Sequence, residues 1–159
     1  MAYLRARGLT SLGPARSERL LGMDLDLEWG YGQNLPLDRW WTLGGPSFLV
    51  GSKSLGFLSP NFLVGRFGLP LRMDGPYGLS LQVIPRFDYG VIGMESRDLF
   101  RGFRGQGMGL LVRTMAAKFY VELSYGFLKF YDPVLGWRPT TGSFNALIGT
   151  QPFDLWKRR

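Results

Sequence analysis

The sequence contains no cysteine and no histidine among its 159 residues. The first absence excludes disulfide frameworks, thiolate metal sites and thiol nucleophiles. The second removes the usual imidazole ligands and the base of any Ser-His relay. Charge is scarce as well: Asp, Glu, Lys and Arg make up 19% of the chain, below the roughly 25% of an average soluble domain. No apolar run approaches the ~18 residues that a membrane-spanning helix needs, and residues 1–13 have no apolar stretch of signal-peptide type. A helical membrane protein and most enzyme templates are thereby excluded, and no cofactor is expected.

What the chain does have is apolar and aromatic surface, 45% and 15% of its residues, together with 23 glycines and 10 prolines. The glycines and prolines are dispersed between apolar runs, which suits strands joined by turns. The length fits one structural unit. The formal charge of +7 is scattered, with Lys157-Arg158-Arg159 as its one run, so charge alone is a weak pointer to nucleic acid.

A period of two recurs along the chain. Within residues 20–33, Leu21, Met23, Leu25, Leu27, Trp29 and Tyr31 share one side, opposite Gly22, Asp24, Asp26 and Glu28. Residues 61–73 set Leu63, Phe67, Leu69 and Leu71 against Arg66 and Arg72, and residues 78–92 set Leu79, Leu81, Val83, Phe87, Tyr89 and Val91 against Ser80, Gln82, Arg86 and Asp88. In residues 105–115 Met108, Leu110 and Val112 oppose Arg113; in residues 118–129 Phe119, Val121, Leu123, Tyr125 and Phe127 oppose Lys118 and Glu122. A shorter segment near residues 3–9, with Arg5 and Arg7 on one parity, and a final one over residues 142–153 bring the expected strands to seven, with an eighth possible.

Alternation alone does not choose between water and lipid, but length does better. The five central segments run 11 to 15 residues, against about 5 to 6 for a globular strand and about 9 to 11 for a tilted membrane strand. Trp29, Tyr31, Tyr89, Tyr125 and Phe127 lie near strand ends, where interfacial aromatic belts belong. Connections alternate between short (13–17, 74–77, 116–117) and long (34–60, 93–104, 130–141), as in a barrel with tight turns at one rim. Pro85 interrupts an otherwise regular strand, and a bulge is expected there.

The stretch Asp38-Arg39-Trp40-Trp41-Thr42-Leu43-Gly44-Gly45 resembles the aromatic-x-Leu-Gly-Gly lead-in of a loop in the bacterial surface antigen superfamily. Its barrels include outer-membrane insertases, two-partner-secretion transporters and the membrane domain of patatin-like phospholipases. Phe87-Asp88-Tyr89-Gly90 is similar to the family's Asp-x-Gly strand, and Gly105-Gln106-Gly107-Met108-Gly109-Leu110 to the opening of the strand after it. The resemblance covers about 130 residues and implies a loop dipping into the barrel lumen, followed by five strands. At the tip the chain reads Leu49-Val50-Gly51-Ser52, without the Arg of the insertases and transporters and closer to the Leu-x-Gly of the patatin-like branch. Phe100-Arg101-Gly102-Phe103 matches the Arg-bearing tip but lies in the next long loop, with no Gly-Gly before it.

The expectation is therefore an all-β, antiparallel transmembrane β-barrel segment over residues 1–159. It comprises the C-terminal seven to eight strands of a larger barrel in a Gram-negative outer membrane, with an inserted loop over residues 34–60. The loop motif would be Leu43, Gly44, Gly45, Leu49, Gly51 and Lys53. Asp24, Asp26, Glu28, Arg66, Arg86, Asp88, Gly90 and Arg113 would line the lumen, with Asp88 facing Lys53. Phe144, Ile148 and Phe153 resemble an outer-membrane assembly signal. Implied partners are outer-membrane lipid, the assembly machinery, and the rest of the barrel or a second copy, not nucleic acid. The implied role is anchoring, or assisting protein translocation or insertion. No Gly-x-Ser-x-Gly elbow occurs, so the chain is not expected to be an enzyme, and a patatin-like parent would carry its phospholipase in a separate domain. The rival from another class is a basic soluble β-barrel binding nucleic acid through Phe62, Tyr120 and Trp137.

Overall fold

The computed structural model describes residues 1–11, 19–43, 49–52, 57–95, 99, 101–116, 119–139 and 142–150. They form an all-β structure: β1 (Ala2–Ser11), β2 (Arg19–Tyr31), β3 (Trp41–Leu43), β4 (Phe57–Ser59), β5 (Asn61–Gly68), β6 (Leu71–Asp74), β7 (Leu79–Gly93), β8 (Phe103–Ala116), β9 (Phe119–Asp132), β10 (Gly136–Pro139) and β11 (Ser143–Thr150), with two short 3-10 turns. No helix among the described residues is long and apolar enough to cross a membrane.

Every strand pairing is antiparallel. The main sheet runs β1-β2-β5-β7-β8-β9-β10, with β6 between β2 and β7 and β11 on β9. Register reduces these to seven positions. β6 prolongs β5 without a slip, from Gly68↔Arg86 to Leu71↔Val83. β10 and β11 lie along the same edge of β9, one residue out of step with each other (Gly136↔Asp132, Ser143↔Gly126). β3 and β4 form a separate two-stranded ribbon inside the long connection between β2 and β5.

Two expectations are corrected. No bulge forms at Pro85, because β7 keeps one register against β8 from Leu79↔Ala116 to Ile92↔Phe103. The proline is accommodated on its other side. The Leu69 N–H donates to the Pro85 carbonyl (3.0 Å) and the Gly22 N–H to the Pro70 carbonyl (2.8 Å), but neither proline has an N–H to return the bond. Those two missing bonds on adjacent rungs separate β6 from β5. The connection expected over residues 130–141 is instead a tight hairpin. β9 continues to Asp132, whose Oδ1 accepts the N–H groups of Val134 (2.7 Å) and Leu135 (3.2 Å). Gly136 (φ +73°) then takes the left-handed backbone that lets β10 return along β9.

Because paired residues share a face, the register sorts the side chains cleanly. One face carries Arg5, Arg7, Asp24, Asp26, Glu28, Arg66, Arg86, Asp88, Arg113 and Glu122. Leu43 and residues 49–52 of the long connection pack on this loop face, and two apolar clusters form there among the described residues. Leu43 and Leu49 pack with Phe62, Val64, Ile92 and Leu128, and Val50 packs with Ile84 and Leu111. The opposite, open face presents Leu21, Met23, Leu25, Leu27, Phe67, Phe87, Met108, Leu110, Leu123, Tyr125, Phe127, Phe144 and Ile148, all exposed.

Candidate functional site

Trp41 of β3 packs at a tilt against Tyr3 of β1 (5.5 Å between centroids) and edge-on to Phe62 of β5 (5.6 Å). Of the segment between β3 and β4, residues 49–52 are described and lie against the sheet. At its tip the Ser52 N–H donates to the Leu49 carbonyl (3.0 Å), closing a four-residue turn. Gly51 at the third position has φ +86°, the backbone region that a type II turn requires there. Val50 is fully buried and Leu49, Gly51 and Ser52 are buried with it.

Glycines on the loop face provide the seat for this turn. Leu49 lies over Gly90 and Gly105, and Val50 over Gly107, Gly109 and Gly126. A Cβ placed on Gly107 would meet the Val50 carbonyl oxygen at 2.4 Å, and one on Gly126 the Gly51 nitrogen at 2.9 Å. Such separations are far inside van der Waals contact, so only a bare backbone admits the turn at this depth.

Asp88 holds the turn. It is fully buried; its Oδ2 accepts the Val50 N–H at 2.6 Å and its Oδ1 accepts Arg86 Nε at 2.6 Å. A buried carboxylate is tolerated only when charge and lone pairs are matched, and here one cation and one backbone donor do so. The expected partner Lys53 lies outside the described residues, as do Gly44, Gly45 and Phe153. Arg86 Nη2 and Ser124 Oγ are buried without a hydrogen-bond partner.

The acidic stripe of β2 is neutralised from both sides. Asp24 pairs with Arg7 (2.6 Å), Asp26 with Arg5 (2.7 Å) and Arg66 (3.1 Å), and Glu28 with Arg66 (2.6 Å). Farther across, Arg113 pairs with Glu122. The structure thus joins Arg5, Asp26, Arg66 and Glu28 into one network, with Arg7–Asp24 as a separate pair beside it. Arg86 joins Asp88, and Arg113 stands apart with Glu122. Phe144 and Ile148 point from β11 to the open face, Ile148 with 73% of its surface exposed.

Sequence reasoning missed the glycine seat. Its signal was present: Gly105, Gly107 and Gly109 alternate on β8, a spacing that puts all three on one face. Phe62, assigned to nucleic-acid stacking in the rival reading, is 1% exposed beneath the loop and cannot meet a base. Among the described residues no cluster of acidic side chains is arranged to hold a metal ion. No protein-family model, curated protein or solved structure matches the chain.

Proposed function

We propose that this chain is a segment of a bacterial outer-membrane β-barrel of the surface antigen type. Its open face meets lipid, the β3–β4 ribbon and residues 49–52 occupy the lumen, and its role is to anchor the protein in the membrane. The observation that carries this reading is the inverted placement of polarity: the ion pairs lie on the loop face, while the opposite face, apart from Arg104 and Lys129 at its long-loop end, is dominated by exposed apolar side chains from β2 to β11. Monomeric soluble proteins rarely expose a continuous apolar patch beyond a few hundred Å². Strand length agrees, since β2, β7, β8 and β9 have 13, 15, 14 and 14 residues, enough to cross about 25 Å of tilted apolar band. The seated loop favours anchoring over passage of cargo, because Leu49 and Val50 fill the space that cargo would need.

Refolding the chain into lipid vesicles tests this reading. A β-type circular dichroism spectrum and a gel band that shifts on boiling are expected only when lipid or detergent is present. A folded monomer in plain buffer overturns the proposal.

A single substitution separates lipid from water more sharply. Leu123 sits in mid-β9 on the open face, 40% exposed. Facing lipid, Leu123→Arg is expected to cost about 2–4 kcal/mol, read as a lower urea midpoint in vesicles. On a water-facing sheet the same change would stay within about 0.5 kcal/mol.

A further inference from the structure

We propose that the open face at the long-loop end of β8, β9 and β10 binds the phosphate of a lipid headgroup, an inference that rests on the membrane-barrel reading above. Arg104, Tyr131 and Trp137 occupy one rung there, with Lys129 on the next. The Arg104 guanidinium lies 4.4 Å from the centroid of the Tyr131 ring, and the Lys129 ammonium 5.3 Å from that of Trp137. The two rings meet edge-on at 5.6 Å, so the four side chains form one continuous patch.

The two faces differ in how their cations are matched. On the loop face Arg5, Arg7, Arg66, Arg86 and Arg113 each pair with a carboxylate. On the open face the described residues of β7, β8, β9 and β10 include no Asp or Glu between Leu79 and Pro139. Among the described strand residues of that face, Arg104 and Lys129 therefore have aromatic rings beside them and no carboxylate, and Arg104 Nε is buried without an acceptor. An aromatic face offsets part of a cation's desolvation, yet a guanidinium fork is completed by a bidentate oxyanion.

The surroundings decide which oxyanion. Directly below the patch the same face continues as Met108, Leu110, Leu123, Tyr125 and Phe127, all exposed. Two cations above an apolar strip suit an amphiphile with an anionic head and acyl chains, whereas free phosphate would leave the strip uncovered. Tyr and Trp at this level are where interfacial aromatics sit.

The experiment is native mass spectrometry of the full chain folded in detergent, offered phosphatidic acid and phosphatidylcholine with identical acyl chains. Retention of phosphatidic acid is expected to exceed that of phosphatidylcholine by about tenfold or more, on the scale set by two interfacial cations. Arg104→Gln with Lys129→Gln is expected to bring the two lipids to parity, each single change to remove part of the preference, and Arg39→Gln to leave it unchanged. A folded, heat-modifiable double variant that keeps the full preference overturns this site and leaves the barrel reading standing. Failure of the unaltered chain to fold in detergent or lipid removes both. Millimolar inorganic phosphate that displaces the lipid completely would show a free-anion site instead. Single-stranded DNA bound through Arg104 and Lys129, with no preference between the lipids, would overturn the proposal in favour of nucleic acid.

Discussion

Replacing Asp88 with alanine is expected to lower stability by about 3–5 kcal/mol, the cost of leaving one partner of a buried ion pair uncompensated. Asp88 is the shared acceptor of Arg86 Nε and the Val50 N–H, so its loss strands a guanidinium and an amide together beneath the loop. Asp88→Asn retains an oxygen for the Val50 N–H but no charge for Arg86, and its loss should be intermediate. Pairing Asp88→Asn with Arg86→Met removes the unmatched cation and should recover part of the stability. Urea titration in vesicles gives the energies, and limited proteolysis within residues 34–60 reports the loop. Wild-type values of both for Asp88→Ala would mean that Asp88 does not hold the turn.

Gly107→Val is expected to unseat the loop tip by a different route. The new Cβ would begin 2.4 Å from the Val50 carbonyl oxygen and 3.3 Å from its carbon. These are backbone atoms, so no rotamer change relieves the clash, and either β8 moves or the turn lifts. Overpacking of this kind costs about 1–3 kcal/mol, and lifting the turn adds the loss of the Val50–Asp88 bond, about 1.5–3 kcal/mol for a charged acceptor. Gly8 is the control: nothing lies within 4 Å of a Cβ there, so Gly8→Ala should leave protease protection of the loop intact. Equal protection in both variants would sink the assignment of Gly107 as part of the seat.

The strands and their faces were legible because a period of two is a local property. Once Asp24, Asp26, Glu28, Arg66, Arg86, Asp88 and Arg113 are assigned parities, antiparallel pairing puts them on one side. Who pairs with whom was less legible. Arg5 reaches Asp26 and Arg7 reaches Asp24, one rung away from the residues directly opposite them, Glu28 and Asp26. The holding of the loop could not be read at all from side-chain chemistry. The group that Asp88 grips is a backbone N–H, which every residue but proline carries. Pro85 misled for a related reason: its cost depends on what lies across the ladder, and only the fold reveals Pro70 on the neighbouring rung.

The seven positions of the sheet carry a directional consequence. With every pairing antiparallel, the first and seventh positions point the same way, so β1 and β11 present edges of identical polarity. Joined directly to each other they would meet as parallel neighbours. On the barrel reading proposed above, a wall that keeps alternating all the way round would need an odd number of strands between these two edges. Joining copies head to tail about the cylinder axis would leave the same mismatch at every seam.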